Sequence, residues 1–332
     1  MRWVVTGAAG FIGTNLSEEL ARLKQEVCLI DDLSRPGVSE NVKHLKEQFD
    51  LDINIIDISN WEELQRTLLK FGSIDIFIHL AGQVSLMSSI TNPRRDFEVN
   101  ALGTLNILEF ARIYAQNAII VGMSSNKVYG DLGNVLIEES TTRYIAPNYP
   151  NGFNELLPLD FQGPYGCSKG SADQYLIDYH RIYNLKTLSL RQSSVFGRFQ
   201  RPFSDQGWIS FFLDQARNGQ KVQLNGIGKQ VRDALFVNDL VQLFISISKM
   251  PEKNFGFGVN VGGGASNAIS ILELFQALEE ILSVKIDYSF GQERPSDQKV
   301  FISDNSLIQS LSGWQPATNY RAGLELLISE LV

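Results

Sequence analysis

The run Val4-Val5-Thr6 leads straight into Gly7, Gly10 and Gly13, and then into apolar residues at Leu16, Leu20 and Leu23. A β-branched run followed by helical periodicity reads as a strand turning directly into a helix. Glycine serves three different purposes at such a junction. Gly7 permits the tight turn, Gly10 lets backbone approach a pyrophosphate, and Gly13 lets the helix pack on the strand with its N-terminal amides toward the anion. Three glycines at this spacing are a weak signal alone. A strand before and a helix after supply the context that dinucleotide binding requires.

The alternation continues along the chain. Strands are expected near 2–6, 26–31, 53–57, 74–79, 118–122 and 185–190, and helices near 11–24, 60–71, 92–115 and 166–183. Strands alternating with helices imply an α/β fold, here a Rossmann-type doubly wound parallel sheet covered on both faces. With 332 residues and 44% hydrophobic content, the chain can bury a large core as two lobes on one sheet. Residues 1–190 are expected to bind the dinucleotide and carry the catalytic helix. Residues 191–332 should mainly form a smaller mixed α/β substrate lobe, the division not being strictly contiguous. Helices are expected there near 206–218, 237–249 and 270–282, with another at the C-terminus. Residues 131–164, rich in Pro, Asn and Tyr, read as a long irregular insertion. A loop of that length is usually functional, here as a lid over substrate.

Composition excludes several classes. A net charge of −8 argues against a nucleic-acid partner, which needs a basic face. No apolar run approaches the roughly 20 residues that span a bilayer. The chain opens directly in its first strand, so no signal peptide is expected, and two cysteines, Cys28 and Cys167, suit a reduced cytoplasmic protein. His44, His79 and His180 are scattered and form no Cys/His cluster, so no metal site is expected. His79 lies inside the apolar run Ile74 to Leu80 and reads as a core histidine.

Individual residues then suggest chemistry. Asp31 ends the second strand about twenty residues past the glycines, where a carboxylate accepts from the adenosine ribose hydroxyls and repels a 2′-phosphate. NAD is favoured, while Arg35 nearby keeps NADP open. Asp57, closing the third strand, is placed to reach the adenine or simply to make a turn. Ala81-Gly82 are small enough for a ribose to lie against the backbone. Ser125, in Met123 to Gly130, sits at the C-terminal end of a strand, facing the crevice where such sheets bind ligands. Tyr165 and Lys169 are four residues apart on a helix, so both point the same way. An ammonium beside a phenol should lower the phenol's pKa toward the range for proton exchange. Arg232 and Arg294 each sit in a loop and could grip a diphosphate, or form surface ion pairs. Phe203, Trp208 and Phe212 could line a base pocket or belong to the core.

Gly7/Gly10/Gly13, Ser125, Tyr165 and Lys169 together resemble the extended short-chain dehydrogenase/reductase family, the nucleotide-sugar epimerases and dehydratases. The likeness covers essentially the whole chain. Within the family it is strongest to 2-epimerases acting on CDP-activated hexoses, through Ser124 to Asp131 (SSNKVYGD), Asn151 to Phe161 (NGFNELLPLDF) and Pro164 to Arg181 (PYGCSKGSADQYLIDYHR). Asp205 to Trp208, Gly228 to Asp233 and Ser296 to Phe301 add to it.

The resemblance implies a catalytic triad of Ser125, Tyr165 and Lys169, with Ser125 where the 2-epimerase pattern has Thr. It implies NAD contacts from Phe11 and Ile12 beside the glycines, from Asp32, Ser34 and Arg35 after Asp31, and from Ile58 after Asp57. Leu80 and Gln83 flank Ala81-Gly82 in the same role, and Asn100 matches a structural Asn. Arg232 and Arg294 match diphosphate clamps, and Gln83, Ser125, Asn126 and Ser194 are implied to meet substrate. Ser194 stands where most of the family has Asn.

Sugar 4,6-dehydratases of the family carry Asp-Glu directly after the triad hydroxyl as acid and base; here Asn126-Lys127 occupy those places. The resemblance therefore implies an isomerase, an NAD-dependent epimerase inverting a nucleotide-activated hexose at C2, with a CDP-hexose favoured. UDP- or GDP-hexose 2- or 4-epimerisation is the alternative, and a non-catalytic dinucleotide sensor is the alternative of another class. It also implies a homodimer or homotetramer built on the helices near 92–115 and 166–183.

Overall fold

In the computed structural model, which describes residues 1–202, 207–292 and 298–330, seven parallel strands form the central sheet. They are β1 (Arg2–Thr6), β2 (Glu26–Asp31), β3 (Ile53–Ile55), β4 (Ile76–His79), β5 (Ile119–Ser125), β8 (Lys186–Gln192) and β12 (Phe257–Val261). The short pair β6 (Glu138–Glu139) and β7 (Tyr144–Ile145), then β9 (Ser194–Phe196), β10 (Val222–Leu224) and β11 (Val231–Phe236), lie between these in sequence. The spatial order is β12-β8-β5-β4-β1-β2-β3. From β1 the chain winds outward through β2 and β3, then returns to β4 on the other side of β1. That reversal opens a crevice at the carboxyl ends of β1 and β4, where ligands bind in open α/β sheets.

Side-chain alternation explains why both faces are covered. Val5, Leu29, Ile76 and Ile78 point to one face, with Leu16 and Leu20 of α1 (Phe11–Arg22). Val4, Cys28, Ile30 and Phe77 point to the other. A strand sends successive side chains to opposite faces, so a sheet buried on both sides needs such continuous apolar runs.

The six expected strands and four expected helices of the first 190 residues are all present, with two differences. The helix expected over 92–115 is three pieces. After α2 (Val38–Phe49), α3 (Trp61–Phe71) and α4 (Leu86–Thr91) come α5 (Pro93–Phe97), a π turn over Glu98–Leu102 and α6 (Gly103–Tyr114). Asn92 caps α5 by accepting from the Arg95 amide, and Pro93 sits where a missing N–H costs nothing. The second difference is that α2 and α4 are additional. α2 buries only Val38, Asn41 and Leu45, one of them polar, so its apolar period is faint.

β12 returns to the central sheet from well beyond residue 190 and pairs with β8 along five residues. The remainder forms a smaller lobe. β11 pairs with β9, with β13 (Ala268–Ser270) and with β15 (Val300–Phe301), while β10 pairs with β14 (Tyr288–Phe290). α8 (Trp208–Arg217), α10 (Ile271–Leu282) and α12 (Tyr320–Glu330) pack there, while α9 (Val237–Ile247) and α11 (Ser306–Ser312) cover the central sheet. The 131–164 insertion is strapped down rather than free. Phe153 is fully buried, its amide donates to Ile302 O at 2.7 Å and its carbonyl accepts from the Asp304 amide at 2.9 Å. No helix among the described residues is long and apolar enough to cross a membrane.

The 21-residue α7 (Gly163–Tyr183) lies on β5 and β8. Gly122 of β5 admits it, since a Cβ there would stand 2.4 Å from Leu176 Cδ1. Arg191 of β8 reaches Asp173 of α7 through Nε at 3.0 Å and Nη2 at 2.8 Å, and its Nη1 donates to Tyr129 Oη at 3.0 Å. Both ionic side chains are buried. Removing one member of a buried pair leaves the other uncompensated, a loss of about 3–5 kcal/mol. Asp173→Ala should therefore lower unfolding free energy in urea by about that amount. Asp173→Leu with Arg191→Met should be less harmful, because no charge is stranded; a double variant worse than Asp173→Ala would refute the account.

Candidate functional site

The crevice at the switch point is a cleft of about 680 Å³. Its floor is the glycine turn. Gly7 has φ +69°, and a Cβ there would lie 2.7 Å from the Ala81 amide nitrogen. A Cβ on Gly13 would lie 2.1 Å from Gly7 O, so α1 could not seat against the turn. Gly10 caps α1 in an extended conformation with no side-chain partner. The first amides of α1, at Phe11, Ile12 and Gly13, border the cleft and suit an anion.

One wall comes from the ends of β2 and β3. Asp31 is held by two backbone amides, Ala9 N at 2.9 Å on Oδ2 and Leu33 N at 2.9 Å on Oδ1. Burial raises its pKa above the ordinary carboxyl value, against the opposing pull of those amides. Asp32 accepts from the Ser34 amide and hydroxyl at 3.0 and 2.6 Å. Arg95 of α5, which sequence reasoning missed, bridges Asp32 at 3.2 Å and Asp57 at 2.7 Å. For Asp57 burial acts upward, but Ser59 and Arg95 outweigh it and leave the carboxyl below its usual range. Arg35 and Ile58 also line this wall.

The opposite wall follows β4. Leu80 N donates to Thr6 O at 3.0 Å and Ala81 N to Thr6 Oγ1 at 3.2 Å. A Cβ on Gly82 would meet Lys169 Nζ at 2.8 Å. Asn100 accepts from Gln83 N at 2.9 Å and donates to Gln83 O at 3.1 Å, to Asp96 Oδ1 at 3.2 Å and to Ser168 Oγ at 3.1 Å. Asp96 stands one turn before Asn100, a spacing that could have flagged it. His79 is buried between Thr6 Oγ1 at 2.7 Å and Thr104 Oγ1 at 3.1 Å, and burial holds its pKa down to about 3. It is a neutral core group, as expected.

Tyr165 and Lys169 of α7 border the cleft where these walls meet, and Ser125 at the end of β5, not itself among the bordering residues, adjoins Tyr165. All three are buried, and Ser125 and Tyr165 are hydrogen-bonded. Lys169 Nζ donates to Met123 O at 3.0 Å. Here the electrostatic expectation is corrected. Burial pushes Tyr165 up to about 12, against a downward pull from Ser125 and with a further upward push from Asp96. Burial brings Lys169 down to about 8, Asp96 opposing. Desolvation of the phenolate, rather than attraction to the ammonium, dominates.

The remaining expected residues divide. Ser194 lines the cleft and its Oγ accepts from Trp208 Nε1 at 3.1 Å. Phe212 belongs to the small lobe's core, edge-on to Phe275 at 5.0 Å between centroids. Asn126 is buried, with both ends of its amide bonded to protein. Arg232 lies on β11, where Nη1 donates to Val231 O at 2.8 Å, and is not among the residues bordering the cleft. Arg294, Phe203 and the segment around Asp205 and Gln206 lie outside the described residues.

Polar atoms at the cleft that are buried with no hydrogen-bond partner among the described residues include Gln83 Oε1, Ser124 Oγ and Gln192 Oε1. Buried polar groups in folded proteins are nearly always paired, so such atoms on a cleft wall suit a polar ligand. With the glycine floor, the helix amides and the Asp31 carboxylate, the site fits a dinucleotide.

Comparison with known proteins agrees. Residues 3–262 match the model of the NAD dependent epimerase/dehydratase family. The chain is 39% identical to the CDP-paratose 2-epimerase of Salmonella typhi over 98% of its own length and 97% of that protein. It superposes on the UDP-glucose 4-epimerase of Thermus thermophilus, solved in complex with NAD, at a TM-score of 0.83 and 28% identity, covering 99% of this chain and 98% of that one. A UDP-glucose 4-epimerase of Thermotoga maritima, solved with UDP-glucose, gives a TM-score of 0.84 at 26% identity, covering 100% and 98%. A glycine turn, a strand-end carboxylate and a Tyr–Lys helix on one cleft, matched along almost the whole chain, place this protein in the NAD-dependent epimerase/dehydratase family.

Proposed function

We propose that the protein inverts C2 of a nucleotide-activated hexose by transient oxidation, with CDP-paratose to CDP-tyvelose as the leading reaction. The observation that carries this reading is the 39% identity to a CDP-paratose 2-epimerase along nearly both full chains. Asn126-Lys127 after Ser125 support it, because an amide cannot act as the acid of a water elimination. In this reading residues 1–190 mainly hold the cofactor, and residues 191–332, with Ser194, Arg232 and Arg294, mainly hold the nucleotide sugar.

Gly7, Gly10, Phe11, Ile12 and Gly13 hold the pyrophosphate, Asp31 the adenosine ribose, and Lys169 the nicotinamide ribose. When bound, NAD supplies a hydride acceptor that is also the donor, and the positive charge of its oxidised ring favours the phenolate. Tyr165 takes the proton of the sugar hydroxyl and later returns it, while Ser125 hydrogen-bonds the same oxygen. The sugar loses the hydrogen on C2, turns, and regains it on the opposite face, so no net redox change remains. A ketone at C4 acidifies only C3 and C5, so it gives no route to C2, above all where C3 is deoxy.

We also propose a twofold assembly on α5, α6 and α7, whose outer faces expose Phe97, Ile113, Tyr114, Tyr175, Ile182 and Tyr183. One patch meeting its own copy makes an isologous dimer. Sedimentation as a monomer at micromolar concentration would overturn this.

Denatured protein should release NAD(H), and recovery of NADP would overturn the role given to Asp31. A panel of CDP-, UDP- and GDP-hexoses, with product stereochemistry read by NMR, tests the reaction. CDP-paratose should be inverted at C2, and deuterium at C2 should slow turnover yet remain at C2 in the product. Inversion of UDP-glucose at C4 alone, or an isotope effect only from C4, would refute the C2 assignment. On the same panel, Tyr165→Phe should keep fold and cofactor while turnover falls on the order of 10²–10⁴-fold. Turnover within a few-fold of wild type would move the proton transfer elsewhere.

A further inference from the structure

Gln298 is fully buried and reaches from the small lobe to the turn that follows β5. Its Nε2 donates to two backbone carbonyls, Asn126 O at 3.1 Å and Gly130 O at 2.7 Å. Carbonyl oxygens only accept, so these bonds decide which end of the amide is nitrogen. Its Oε1 must then face Asn126, which donates from Nδ2 at 2.9 Å. That bond orients the second amide in turn. Asn126 Oδ1 is left as the acceptor for Ser125 Oγ at 3.2 Å. From the other side, Lys127 N donates to Ser125 Oγ at 3.2 Å. Ser125, Asn126 and Gln298 are all buried, so water does not compete for any link.

The polarity of the chain is therefore fixed end to end. Two main-chain carbonyls orient Gln298, Gln298 orients Asn126, and Asn126 takes the Ser125 proton while the neutral Tyr165 phenol is the donor in the Ser125–Tyr165 bond; once the phenol is ionised, the same proton can turn to it. We propose that Gln298, acting through Asn126, is a positioning residue that sets the orientation of the Ser125 hydroxyl. The hydroxyl meets the sugar oxygen from one defined starting geometry, and its proton has a return acceptor when the product leaves. Asn126 thereby serves the triad from behind Ser125 and not by touching sugar. This inference rests on the reading of Ser125, Tyr165 and Lys169 as the triad.

The test uses the full-length protein with its bound cofactor and CDP-paratose, or the nucleotide hexose turned over fastest in the panel above. Gln298→Met keeps the volume and removes the hydrogen bonds. Asn126→Ala leaves the Gln298 grip on the two carbonyls intact, which guards against a simple folding defect. Each should lower kcat on the order of 10–100-fold, the scale of loss when a reacting group is misplaced by about an ångström. KM and the amount of retained NAD should not change. In a Ser125→Ala background neither substitution should lower kcat further, because residues that act as one unit are not additive. Losses that multiply with Ser125→Ala would overturn the proposal, as would wild-type kcat in Asn126→Ala. Ser125→Ala with wild-type kcat would refute the triad reading itself, and leave Gln298 nothing to act through.

Discussion

Everything at the cleft depends on α7 being held at one rotation, and a buried ion pair holds it. Asp173 lies one turn beyond Lys169 and two beyond Tyr165, on the same side of the helix. It accepts from Arg191 and, at 2.6 Å, from the Ser189 hydroxyl. Arg191 belongs to the sheet, so turning α7 by one residue would strand both charges in an apolar interior. A buried pair adds little stability over a hydrophobic one, but breaking it is severe, which makes it a better lock than glue. The face α7 turns inward is accordingly mixed, with Ser168, Lys169 and Asp173 buried beside Ala172 and Leu176. Arg191 also reaches Tyr129, whose hydroxyl donates to Asn260 on β12 at 2.8 Å. The lock thus spans α7, the central sheet and the returning strand.

Burial exacts a second consequence at the same helix. It disfavours the charged form of each group, lifting Tyr165 to about 12 and dropping Lys169 to about 8. Ordinarily the two titrate close together; here their values are driven apart with the phenol above the amine. Between roughly pH 8 and 12 both groups are then neutral. The signs matter for how the site is activated. A phenol whose pKa is raised by desolvation is primed by any positive charge brought next to it, because in a low-dielectric site that charge is weakly screened. A cationic group brought beside Tyr165 would thus favour loss of its proton.

What was legible in the sequence is what short-range backbone geometry dictates. The glycine turn, Asp31 at its strand end and the Tyr165–Lys169 spacing each involve a few consecutive residues whose placement follows from one turn or one helix. α2 was not legible, because its buried side includes Asn41 and its apolar period is weak. The break in the 92–115 helix was not either, since a π turn leaves no composition signature. Arg95 and Gln298 escaped for another reason. Each acts on residues far away in sequence, and nothing local marks an arginine that will straddle two strand ends or a glutamine that will close on the turn after β5. The expected lowering of the Tyr165 pKa failed in the same way. The neighbouring ammonium was visible in the spacing, but the depth of burial was not.

The two lobes are also less separable than a boundary near residue 190 suggests. β12 completes the large sheet from the later part of the chain. The 131–164 insertion is pinned beneath the small lobe through Phe153, which packs against Phe301 at 5.6 Å, while Tyr129 stacks on Phe301 at 5.8 Å. Gln298 closes on the turn after β5 with three hydrogen bonds. Opening the lobes would expose these aromatic groups and break buried polar links together, so wide hinge motion is opposed by both apolar and hydrogen-bond terms. Under the inversion proposed above, a sugar that must present its other face would find that freedom in the ligand, turning within walls that Asp173, Asn100 and Gln298 already hold in place.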